Sequence, residues 1–363
     1  MIYFPIVKTR DAELRGMCQL SPKVKMSVTP LFELTKSRKT KNADHGPIQK
    51  RLEKIATEYG KTPFGIDLTS FPHLKNKEID MLYKNQDGFR NWLTFLKRQK
   101  TIFPFIIPTL LRSDEGLEDA NAYIETHNKE VTEISKLFSK KIYRIPKDYD
   151  VAELEFDLKH LFDPDNPPIA LLDMGFIPKA KGKMYASNAQ GLLEAIHQTP
   201  YKIKFVVLAG SSYPKDPTEN CGRSDHGENI LEEVVMFDQC QKYFPQLIYG
   251  DYATIYPLLN EQAGGRGWTP RIDFPTKESI VYYRCKKLET DVNFARAYTE
   301  VARKVVADSK FKWLMGQLGQ QCWGINQILM AADGYPPGLS PSFWISVRIQ
   351  LHVTLQNLIR SKE

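Results

Sequence analysis

Cysteine is scarce and scattered: Cys18, Cys221, Cys240, Cys285 and Cys322 are odd in number and include no CxxC pair. That distribution excludes a disulfide framework and a zinc knuckle. Long apolar runs are missing as well. No segment reaches the roughly 20 residues of a membrane span, and the opening MIYFPIVKTRDAELRG has no basic region leading into a long apolar one. The expectation is a cytoplasmic chain with reduced thiols and no membrane contact. A GxGxxG turn, a GxSxG elbow and a Walker A loop are all absent, which argues against a dinucleotide fold, an α/β-hydrolase serine and a P-loop. The seven histidines show neither HExxH nor HxH spacing, so a histidine-rich metal centre is not expected; the cofactor is left open, with a carboxylate-bound Mg2+ compatible. Charge of one sign is not in great excess: 50 basic and 43 acidic residues are interspersed for a net +7. This favours anionic ligands without the clustered basic face of a nucleic-acid binder.

What is present is a core. Hydrophobic residues make up 42% of the 363 and charged residues 26%, the balance of a globular chain large enough for one big barrel with an appendage or for two domains. Short continuous apolar runs recur: YFPIVK, PLFEL, FGIDL, FPFIIPTL, IYRI, IALLDM, IKFVVLAG, LIYGDYA, and then RIDF with IVYYR. Continuous rather than alternating runs mark strands buried on both faces of a parallel sheet. Helical stripes lie between them, as in IQKRLEKIATEYG, which ends on Gly60, FRNWLTFLKRQK, GLLEAIHQ and NILEEVVMFDQCQKYF. The alternation predicts an α/β fold, a (β/α)8 TIM-like barrel over residues 1–285, with YFPIVK or RIDF completing the ring. Residues 286–363 turn purely helical and read as a C-terminal cap, with Trp313, Trp323 and Trp344 in its core.

In such a barrel, chemistry sits where strands end. The residues closing the apolar runs are Lys8, Glu33, Asp67, Arg144, Asp173, Ser211, Asp251 and either Asp273 or Arg284, with Tyr252 beside Asp251. Ending so many buried strands on charge costs several kcal/mol each unless the groups are paired or solvated, so the set reads as a functional mouth. Glu33, Asp173 and Asp251 are the candidate catalytic carboxylates; the others are candidate ligand contacts. The later EQAGGRGWTP adds Gly264, Gly265 and Arg266, a phosphate-binding pattern in the loops where barrels hold phosphate. In RSDHGEN, Ser224 or Asp225 reads as the cap of a helix that begins directly after, with Glu228 in its first turn. The basic stretch TKSRKTKNADHG reads as a loop over the mouth.

Two parts of the chain carry a family resemblance. The opening YFPIVKTRDAELRGMCQLSPKVKMSVTPLFEL, with its Y-x-P-x-x-K strand and P-L-x-E strand, and YGDYATIYP with the later PRIDF and IVYYR, resemble the phage-type beta protein family over nearly the whole chain. Carried over by that match are Lys8, Glu13, Glu33, Asp251, Tyr252 and Arg284. Arg284-Cys285 stands where an arginine-glycine pair is expected. The resemblance implies a protein of phages and of bacterial mobile or defence-associated loci, and it brings no reaction with it. Two functions follow as expectations. One is a barrel that binds, and hydrolyses, a phosphorylated small molecule or nucleotide. The other is a non-catalytic phage–host conflict protein whose partner is a signalling nucleotide, a nucleic acid or a protein.

Overall fold

The computed structural model describes residues 2–38, 46–113, 116–117, 119–162, 166–199, 203–258 and 268–362. Among these residues the eleven strands are β1 (Tyr3–Lys8), β2 (Leu31–Leu34), β3 (Phe64–Leu68), β4 (Ile106–Pro108), β5 (Ile142–Pro146), β6 (Ile169–Phe176), β7 (Val206–Ser211), β8 (His226–Ile230), β9 (Ile248–Asp251), β10 (Arg271–Pro275) and β11 (Ser279–Arg284). Eight of them pair in parallel in the order β4-β3-β2-β1-β9-β7-β6-β5. A parallel bridge from Thr109 to Ile142 brings the two ends of that sheet together. The result is the expected eight-stranded barrel with helices between the strands and further helices at the C-terminus.

The pairing answers the question of closure. β1 and β9 lie side by side, Tyr3 against Tyr249 and Pro5 against Asp251. RIDF is therefore not a barrel strand. It forms β10, which pairs antiparallel with β11, itself paired with β8 in a separate three-stranded sheet. This small sheet grows from the loops after the seventh and eighth barrel strands. It also corrects the reading of RSDHGEN: His226–Ile230 is an extended strand, and the following helix starts at Glu232. HGENI carries no apolar pattern of its own; partner β11 supplies its hydrogen-bond ladder.

Three buried clusters follow. Phe4, Ile6, Leu31, Ile142, Leu171 and Val207 fill the barrel interior, a packed core and not a pore. A larger cluster lies between strands and surrounding helices. A third joins Ile272, Phe274 and Val281 of the small sheet to helices 295–307, 309–318, 323–332 and 341–360, and includes Trp344. Trp323 packs against that cluster only partly buried, whereas Trp313 departs from the expected core position: it is 41% exposed. The last helix docks on helix 11–18 at Gly16, where an added Cβ would sit 2.8 Å from the Ile349 side chain and 2.9 Å from the Ser346 carbonyl oxygen. Gly60 ends its helix with φ at +100°, in the positive range that favours glycine. Among the described residues no helix is long and apolar enough to cross a membrane.

Candidate functional site at the barrel mouth

Strand register decides which side chains meet. Lys8 lies beside Glu33, and Glu33 beside Asp67, so three adjacent strands place three charges in one inward layer. Arg144 of β5 reaches across the mouth to them. Its Nη1 donates to Glu33 Oε1 at 2.7 Å and to Asp67 Oδ2 at 2.8 Å, and its Nη2 to Asp173 Oδ2 at 2.7 Å. Tyr252 donates its hydroxyl to the same Asp173 oxygen at 2.6 Å and accepts from Arg144 at 2.9 Å. Lys8 Nζ is 3.1 Å from Glu33 Oε2 and 3.3 Å from the Pro257 carbonyl oxygen. Three carboxylates thus share two cations.

Burial and charge act against each other here. Burial pushes the Glu33 carboxyl up, but Lys8 and Arg144 outweigh it and hold the group at about 2, so Glu33 stays ionised. Asp67 goes the other way: burial raises it, Glu33 adds to the rise, and Arg144 only partly offsets it. Arg144 is committed inside the mouth: its Nε and both terminal nitrogens donate to Asp173, Glu33, Asp67 and Tyr252.

Six of the sequence-read residues, Lys8, Glu33, Asp67, Arg144, Asp173 and Tyr252, do come together. Ser211 lies at the end of β7, buried, donating to the Ile255 carbonyl oxygen at 3.0 Å. Asp251 does not join them, which corrects the expectation that it faces Glu33 and Asp173. Along β9 the inward side chains are Ile248 and Tyr252, with Gly250 between; period-two alternation turns Asp251 outward. There it accepts from Tyr3 Oη at 2.6 Å and lies 2.6 Å from His352 Nε2 of the last helix. Burial pushes its carboxyl up, but His352 and the hydrogen bonds from Tyr3 and Ala253 leave it below the ordinary range. Gly250 answers to packing: an added Cβ would stand 2.9 Å from Ala209 Cβ and Val207 Cγ1. Arg284 sits on the small sheet, 3.2 Å from Asp225, and not at the mouth. Gly264, Gly265 and Arg266, with most of TKSRKTKNADHG, lie outside the described residues.

Beside the mouth, where the chain leaves β1 and β2, a cleft of 510 Å³ opens. Arg10, Lys36, Arg38 and Arg51 line it against Asp11 and Glu13. Asp11 pairs with Arg51 at 2.6 Å and Arg38 at 3.1 Å. Arg10 and Lys36 form no ion pair with a described residue. The Ser37 hydroxyl, nine-tenths buried in the cleft wall, has no hydrogen-bond partner among the described residues. Glu13 accepts the Lys8 backbone N–H at 2.5 Å and is buried; burial pushes its carboxyl up to about 7 despite Lys8 and Arg10 nearby. Sequence reading missed this cleft, because Arg10, Lys36 and Arg51 lie just past strand ends or on a helix, where single charges look ordinary. Among the described residues, no three His, Cys, Asp or Glu side chains cluster as metal ligands would.

Comparison with known proteins gives this arrangement its relatives. Solved structures with a similar course include the catalytic domain of a mannanase from Streptomyces sp. SirexAA-E, at TM-score 0.38 and 10% identity over 66% of this chain and 70% of that one. A bacterial orthologue of human α-L-iduronidase follows at TM-score 0.40 and 10% identity, covering 76% of this chain and 52% of that one. At such scores they say nothing of activity, and the barrel stands on its own strand order. In sequence, the chain is 25% identical over 359 residues, 98% of its length, to Protein beta of Enterobacteria phage P4, of which it covers 92%. The family model described as Beta protein matches residues 3–357, and with that span matched the chain belongs to the Beta protein family.

Proposed function

We propose that the chain binds a phosphorylated small molecule or nucleotide at the C-terminal face of its barrel, in the cleft over β1 and β2. One observation carries this reading: Arg10 and Lys36 stand without ion-pair partners among the described residues, around a nine-tenths-buried Ser37 hydroxyl that also lacks one. Two cations outside any ion pair and a buried donor without an acceptor, all among the described residues, form a set that phosphate oxygens would satisfy. For hydrolysis, the acid–base group would be Glu13, whose carboxyl titrates near neutral pH at the cleft wall. Glu33 would hold Lys8 in place.

A second reading, a non-catalytic binder of a signalling nucleotide, nucleic acid or protein, is favoured by the commitment of Glu33, Asp67 and Asp173 to Arg144. A thermal-shift panel of nucleotides and sugar phosphates, with and without Mg2+, separates the two when run on wild type, Glu13→Gln and Arg10→Glu/Lys36→Glu. A ligand of the native state must raise the midpoint. The expected result is a rise in wild type that the double variant loses, with turnover of the same ligand abolished in Glu13→Gln. A rise without turnover selects the second reading, and a flat panel overturns both phosphate-ligand readings.

A further inference from the structure

A second cleft, of 680 Å³, lies between the small sheet and the helical cap, lined by Lys215 and Asp216 after β7 and by Trp268 and Thr269 before β10. Its volume is that of small-molecule sites in general. At its floor, Arg271 Nε is 2.8 Å from Asp273 Oδ1, while Arg348 of the last helix pairs with the other oxygen of the same carboxylate. Tyr213 also donates to that oxygen, at 3.0 Å. Two guanidiniums therefore share one buried carboxylate; Glu219 pairs with Arg223 at 3.7 Å and Asp216 lies near Arg271, so Lys215, Arg223, Arg271 and Arg284 face Asp216, Glu219 and Asp273 in the lining, four cations to three carboxylates. At the rim, Lys215 has no ion partner among the described residues, and Arg284 turns its Nε to the exposed Asp225.

The other wall is aromatic. Trp268 stacks on Phe294 with centroids 4.3 Å apart and planes 25° apart, yet keeps 38% of its surface exposed. Behind it Tyr298 and Trp344 stack at 5.2 Å. An indole backed on one side by a ring, facing a cluster of guanidiniums across a cleft, suits a planar base joined to a phosphate: base–aromatic stacking tolerates any base, and arginines grip phosphate oxygens in pairs.

We propose that this cleft is a second binding site, separate from the one over β1 and β2, and that it takes a nucleoside phosphate, free or as one residue of a single strand. Trp268 stacks the base, and Arg271, Arg284 and Lys215 hold the phosphate.

Isothermal titration with AMP, adenosine, inorganic phosphate and an eight-residue oligo-dA tests this on the full chain. The variants are Trp268→Ala and Lys215→Glu, both at exposed positions, each made in an Arg10→Glu/Lys36→Glu parent that removes the cleft over β1 and β2 from the titration. AMP is expected to bind at least tenfold more tightly than adenosine or phosphate alone. Trp268→Ala should weaken it about tenfold, in line with the loss of one base stack, and Lys215→Glu should weaken it severalfold, both measured against the Arg10→Glu/Lys36→Glu parent. Oligo-dA binding that exceeds AMP tenfold and falls with added salt identifies the strand as the source of the nucleotide; equal affinity identifies the free nucleotide. No AMP or oligo-dA binding by that parent at millimolar concentration overturns the proposal, as does an AMP affinity that Trp268→Ala leaves unchanged.

Discussion

Asp251 and Tyr252 are chain neighbours on opposite sides of the barrel wall: the tyrosine hydroxyl reaches Asp173 at 2.6 Å inside, and the carboxylate meets His352 at 2.6 Å outside. One residue of β-strand phase thus separates a group of the mouth from a group of the seam between barrel and cap. On the cap side, Arg348, His352, Gln356 and Arg360 are all buried and recur every four residues, forming one polar stripe of the last helix.

The seam position makes Asp251 structural. Asp251→Ala strands Tyr3 and His352 in a fully buried site. Breaking such a network by removing one partner costs about 3–5 kcal/mol. Urea unfolding of the variant should show a loss of that size. Any phosphate-ligand affinity, referred to the folded fraction, should stay at the wild-type value. A wild-type unfolding midpoint would show that the seam does not depend on Asp251.

How much of this was legible in the sequence depends on what each signal required. Barrel strands are legible because both faces are buried, so the runs from YFPIVK to LIYGDYA are apolar at both parities apart from the charges near their ends. The mouth could be read because Lys8, Glu33, Asp67, Arg144 and Asp173 end or interrupt such runs. Asp251 was misplaced although the phase was on view: Ile248, Gly250 and Tyr252 share one parity, and Gly250 is small because the interior at Val207 and Ala209 leaves no room. β8 escaped detection since HGENI has no apolar alternation. The pairing of Arg348 with Asp273 joins residues 75 apart in sequence, and no local pattern could have revealed it.

Arg144 holds the mouth together, and its removal should show a characteristic pH dependence. Arg144→Met leaves Glu33, Asp67 and Asp173 close together with only Lys8 to offset them. At pH 7 the variant should lose about 3 kcal/mol. Protonation relieves the carboxylates, so the deficit should shrink as pH falls to about 4. In the wild type the sign is opposite for Glu33: held at about 2 against an ordinary 4.5, it contributes stability above pH 4.5 that is lost as pH falls toward 2. Denaturant midpoints of both proteins from pH 3 to 8 measure this, and a deficit that is constant with pH would refute the ion-pair account.

Two buried carboxyls should limit stability at neutral pH. Glu233 accepts from the Ser212 backbone N–H at 2.8 Å and from its hydroxyl at 2.5 Å, yet burial, with Asp251 adding to it, pushes the group up to about 7. A folded-state value above the unfolded 4.5 means that its contribution is intact below pH 4.5 and is lost as pH rises to about 7. Glu233→Gln removes the titration while keeping one acceptor oxygen. Relative to wild type, its stability should rise by about 3 kcal/mol between pH 4.5 and pH 8. Glu13→Gln should follow the same course, since Glu13 also titrates near 7. Parallel stability curves for variant and wild type would show that these groups ionise normally.

Gly250 tests the packing of the barrel interior directly. Its missing Cβ would meet Val207 Cγ1 and Ala209 Cβ at 2.9 Å and the Phe4 carbonyl oxygen at 3.1 Å. Two of those neighbours are a Cβ and backbone, which cannot swing aside, and overpacking a filled core costs about 1–3 kcal/mol. Gly250→Ala should therefore destabilise the barrel within that range although alanine is the smaller of the usual strand residues. Val207→Ala alone opens a small cavity and should cost about 1 kcal/mol or more. Combined with Gly250→Ala, it removes the nearest movable atom, so the double variant should lose less than the sum of the two single losses, by about 0.5 kcal/mol or more. Additive losses in urea unfolding would mean that β9 shifts to accommodate the methyl group, and the register of Asp251 and Tyr252 against the wall would have to be reconsidered.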